Sequence, residues 1–112
     1  MKTKDIFSNC RQLDDEITRM KSAIRNLETQ VSQLNGEIQQ LENAKIATRL
    51  EFGSATHYET VRTRENALRE INITLDTKII ERERVLSALK NAQSELLNQE
   101  NVFNSLGCRN II

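Results

Sequence analysis

The chain has 112 residues, no proline, three glycines and four aromatic residues, and sixteen Lys and Arg balance sixteen Asp and Glu. Only 38% of residues are apolar and 29% are charged, which is lean for a layered sheet-containing core and points to long helices. One structural unit is expected from the length. The composition argues against an enzyme with its own pocket, so neither catalytic residues nor a cofactor is expected.

No stretch holds more than two consecutive apolar residues, whereas a membrane-spanning helix needs roughly 20 mostly apolar ones. An export signal needs an apolar core of about 7–15 residues. Here Met1 to Asp5 leads into Ile6-Phe7 alone. A cytoplasmic protein without a membrane partner is expected. Cys10 and Cys108 sit near opposite ends, which is not a disulfide framework. The expectation is a buried thiol at Cys10, a loose one at Cys108 and sulfurs well beyond bonding range. Metal binding would need more ligands, and the one histidine, His57, is far from both cysteines in sequence.

Residues 6 to 41 carry the strongest pattern. Ile6, Leu13, Met20, Leu27, Leu34 and Leu41 recur every seven residues, with Cys10, Ile17, Ile24, Val31 and Ile38 between them. Spacings alternate three and four without a miss, as in the seam of a coiled coil. This helix is expected over about 3–52. The flanking charges do not encode a parallel homodimer: Glu16 would meet Lys21 of the partner, but Glu37 would face Glu42. Gly36 falls on the solvent side. Beyond Leu41 the apolar pattern loses phase at Ile46, Leu50 and Phe52.

A turn over about 53–56 follows. Gly53 suits the left-handed ending of a helix. Thr56 and Glu59 have capping-box spacing, and Ser54 is a second possible cap. The stop and start signals lie midway along the chain, so each arm has the length to cover the other.

The second helix is expected over about 57–106, with a short tail at 107–112. Val61, Leu68, Leu75, Leu89, Leu96 and Phe103 form one seven-residue series, interrupted by Arg82. Ile79 and Leu86 supply the complementary series, whose other places hold Asn72, Gln93 and Glu100. The Arg82 stem is expected to cover the seam with its charge in water; the sharper reading is a buried ion pair or partner contact. Antiparallel layers with these phases require opposing residue numbers to add to 106 or 113.

Apolar residues remain. Ile71, Val85, Ala88, Ala92, Val102 and Leu106 form a shoulder beside the seam, and Ile73 and Ile80 lie elsewhere again. A two-helix hairpin cannot bury both stripes, and exposed apolar stripes mark association. These eight residues are the expected partner interface. The expected architecture is all-α: a long antiparallel two-helix coiled-coil hairpin that self-associates, as a dimeric four-helix bundle. The alternative is a continuous parallel coiled-coil dimer. Gly107 reads as the stop of the second helix, and Ile111 and Ile112 beyond it read as a frayed tail.

His57 and Tyr58 lie at the expected turn, which offers no enclosure for catalysis. Arg62, Arg64, Arg69, Arg82 and Arg84 are interleaved with Glu59, Glu65, Glu70, Glu81 and Glu83. Residues 1–52 hold eight charges of each sign, and so do residues 53–112. Phosphate-binding surfaces show a basic stripe, so a nucleic-acid partner is not expected. The expected function is that of a non-enzymatic interaction protein, an assembly scaffold, adaptor or chaperone-like subunit. The alternative is a small inhibitor or regulator docking a helix face onto a larger protein or enzyme complex. In shape alone such a hairpin resembles small prefoldin subunits and the coiled-coil stalk proteins of flagellar-type export machines; that resemblance assigns no site residue.

Overall fold

The structure, a computed structural model, describes residues 3–52 and 58–111, with side chains described for 6–51 and 59–111. Helix α1 runs over Thr3–Phe52, 50 residues, and α2 over Tyr58–Ser105, 48 residues. A four-residue helix, α3, spans Cys108–Ile111. With no proline to break the backbone ladder, each long helix continues to its end signal. Threonines at 18, 29, 48, 63, 74 and 77 stay within the helices because each hydroxyl donates to the carbonyl four residues earlier.

The fold is an all-α helical hairpin in which α1 and α2 pack against each other. Antiparallel pairing is fixed by contacts of residues early in one helix with residues late in the other: Glu37 with Lys78, Asn35 with Arg82, Cys10 with Cys108. A continuous helix would hold each of these pairs far apart, which sets aside the parallel alternative. The expected turn residues Gly53, Ser54, Thr56 and His57 lie outside the described residues.

Two compact units divide the chain: Met1–Thr29 with Leu86–Ile112, and Gln30–Val85. In the second, Leu34, Ile38 and Leu75 are buried. The residue numbers of its two side-chain pairs add to 115 and 117. The expected sums of 106 and 113 are therefore wrong: α2 is shifted along α1 by a few residues. In the first unit Cys10, Ile17, Ile24 and Cys108 are buried.

Gly107 ends α2 with a φ of 69°. Its N–H bonds the Asn104 carbonyl at 3.0 Å, and its own carbonyl accepts from the Asn110 N–H at 3.1 Å. That left-handed step is open to glycine at little cost. The chain past it is not a frayed tail. It turns into α3, and Ile111 lines a shallow depression with Phe7, Arg11, Asp14 and Asp15.

Candidate interaction surface and the closed base

The seam residues of α1 fall where the heptad places them. Cys10, Ile17, Ile24, Leu34 and Ile38 are buried, and Ile6, Leu13, Met20, Leu27, Val31 and Leu41 are half-buried. Beyond Leu41 the covered positions keep alternating: Lys45 and Thr48 are half-buried, while Ile46 and Leu50 are exposed. The apolar pattern loses phase there, but the helix face does not. The aliphatic stem of a lysine can cover a seam while its ammonium reaches water.

On α2 the row Leu68, Leu75, Arg82, Leu89, Leu96 and Phe103 faces inward, with Leu75 buried and the others half-buried. Its companion row differs from the expected one. Ile71, Lys78, Val85, Ala92 and Gln99 are half-buried; Asn72, Leu86 and Gln93 are exposed, and Ile79 is half-covered. Lys78 and Arg82 both reach α1, which fixes this side as the inner one. Ile71, Val85 and Ala92 therefore belong to the intrachain seam and not to an outward shoulder. Of the expected interface set, Ile73, Ile80, Ala88, Val102 and Leu106 remain exposed.

The middle of the hairpin carries its polar contacts. The Lys78 ammonium lies 2.8 Å from Glu37 Oε2 and 3.9 Å from Glu81 Oε2. The hydrogen bond and charge of Glu37 raise the Lys78 pKa above its ordinary 10.5; Glu81 adds to the rise, and partial desolvation opposes it. Arg82 is half-buried and its Nη1 donates to Asn35 Oδ1 at 3.0 Å. Its described partner is a neutral amide, so Arg82 follows the snorkelling reading and not the buried-ion-pair one.

Cys10 and Cys108 form a disulfide, with Cα atoms 5.3 Å apart and 98 residues of sequence separation. This overturns the expectation of two distant thiols. That expectation paired Cys10 with Leu96 or Phe103; the longitudinal shift of α2 and the step at Gly107 bring Cys108 there instead. Position 10 is a seam position, so the sulfur points at the returning chain. Both cysteines are completely buried.

Nothing in this geometry encloses a substrate. The depressions are shallow and open, as on Glu37, Gln40, Leu41, Thr74 and Lys78. Among the described residues no group of three or more His, Cys, Asp or Glu lies together to hold a metal ion, and no helix is long and apolar enough to cross a membrane. What the surface offers is apolar side chains in water. Ile73 and Ile80 are 59% and 60% exposed, one heptad apart on the outer face of α2, and Ile46 and Leu50 are exposed on α1. No family model, no curated protein and no solved structure matches this chain.

Proposed function

We propose that this protein is a non-enzymatic coiled-coil interaction protein, an assembly scaffold, adaptor or chaperone-like subunit, that works by self-association. One observation carries the reading. Ile73 and Ile80 point into water from a helix whose opposite face α1 already covers, and paired large apolar residues on an outer stripe favour a helical neighbour. A second hairpin meeting this stripe would give a four-helix assembly. The absence of a net charge in the chain leaves apolar burial as the main drive for association. The cytoplasmic location expected from the sequence is not carried into this proposal, because a structural disulfide is rare in a reducing compartment.

Sedimentation equilibrium over a concentration series tests it. The wild-type chain is expected to form a defined homo-oligomer, and Ile73→Glu with Ile80→Glu is expected to sediment as one chain with helicity unchanged. If the wild type is monomeric throughout, self-association is wrong. The regulator alternative then stands, with the same two isoleucines as anchors in the groove of a larger protein.

A further inference from the structure

We infer that this chain matures in an oxidising compartment, where pairing of α1 with α2 brings Cys10 and Cys108 together for oxidation, and that the resulting bond is a permanent clasp on the hairpin base. Cys10 lies inside a long helix and Cys108 lies past the end of another, 98 residues away. Without the hairpin, closing a loop of that length is a rare event, since closure entropy grows with loop length. With it, the α1 seam and the left-handed step at Gly107 set the two β-carbons side by side. The chain has two cysteines, and this bond uses both.

The chemistry balances with a disulfide oxidant, either a protein bearing an oxidised cysteine pair or a small-molecule disulfide. One protein thiolate attacks the oxidant, forming a mixed disulfide and expelling a thiolate. The second protein thiolate then attacks its neighbour's sulfur in the mixed disulfide and expels the oxidant's other thiolate. Two electrons pass to the oxidant and the two thiol protons go to solvent. Reduction would need the reverse attack, and a thiolate must reach sulfur to make it. Both cysteines are 0% exposed, so a reductant gains access only when the base opens. A buried disulfide of this kind is structural and not a cycling redox centre.

Two measurements test the inference. Protein from its native cells is quenched in acid, denatured and treated with a maleimide–polyethylene glycol before and after reduction. The expected result is no mobility shift before reduction and two additions after it. Two additions without prior reduction would overturn the compartment assignment. Separately, reduced chain is refolded in a glutathione redox buffer, and the product is followed by mass as the loss of two hydrogens. Wild type is expected to close the Cys10–Cys108 bond within one chain. The unpaired variant Ile24→Asp with Leu75→Asp is expected to give mixed and intermolecular disulfides instead. Equal rates of intrachain closure in both would show that pairing does not direct the oxidation. Reduction of folded wild type by a small dithiol is expected to be slower than that of the unpaired variant's disulfides; equal rates would remove the clasp.

Discussion

Arg82 and Asn35 face each other across the two long helices, with the guanidinium donating a 3.0 Å hydrogen bond to the amide oxygen. Arg82 occupies a position that the rest of its row fills with leucine, phenylalanine and valine. A half-buried cation there loses hydration and recovers it in part through Asn35 and in part through water. Arg82→Leu is expected to raise stability by about 1 kcal/mol, because replacing a buried charged group with a packed apolar one is commonly neutral or stabilising. Asn35→Ala is expected to cost less than about 1 kcal/mol in wild type and nothing in the Arg82→Leu background. Urea denaturation of the four chains gives the cycle. A marked loss on Arg82→Leu would mean that the arginine holds more of the seam than this one bond.

The Glu37–Lys78 pair yields a pH dependence. Its folded-state pKa is raised above 10.5, so the pair's contribution is fully present below 10.5 and is lost as pH rises through the folded value. Both side chains are substantially exposed, so the effect is small and screened by salt. Lys78→Gln is expected to melt slightly below wild type at neutral pH, with the gap closing in alkaline solution and in high salt. Thermal melts across that range decide it. A gap that widens with pH would contradict the sign.

Leu75 and Ile73 lie two residues apart on α2 and differ in what surrounds them: Leu75 is 6% exposed and Ile73 is 59% exposed. Leu75→Ala is expected to cost about 2–3 kcal/mol, since truncation leaves a cavity in the seam. Ile73→Ala is expected to stay within about 0.5 kcal/mol in the monomeric chain. Denaturation at concentrations below association measures both. Comparable losses would mean that α2 is rotated from the face described.

Gly36 and Gly107 make opposite predictions. A β-carbon at Gly36 meets nothing within 4 Å, and the residue sits inside a helix, so Gly36→Ala is expected to add about 1 kcal/mol. A β-carbon at Gly107 is also free of neighbours, but its φ is +69°. Gly107→Ala is expected to cost about 1–2 kcal/mol for the left-handed backbone. Thermal unfolding of both oxidised variants checks the pair; a loss at Gly36 would show that its helix face is covered.

Much of the architecture was legible in the residues. The alternation of three and four from Ile6 to Leu41 reports a helix with one inner face, because side chains at those spacings stack on one side. Every buried residue of α1 comes from that series. The stop at Gly107 was legible too, since it combines a permissive residue with the end of the periodic pattern. Lys45 and Thr48 were not legible as inner residues. They are polar, and the apolar signal moves to Ile46 and Leu50, which the helix carries outward. Spacing alone, counted on from Leu41, points to them.

By itself the sequence determined two long helices, a hairpin and an inner row through Leu75, because these follow from periodicity, matched arm lengths and the absence of proline. Only the tertiary structure decided which neighbour of that row faces α1. Apolar residues flank it on both sides, Ile71 and Val85 on one and Ile79 and Leu86 on the other, and a periodic pattern scores the two alike. The choice is made by how α2 is rotated and shifted against α1, a property of the pair and not of either helix. The disulfide has the same origin. Cysteines 98 residues apart become neighbours only when that shift and the backbone step at Gly107 act together.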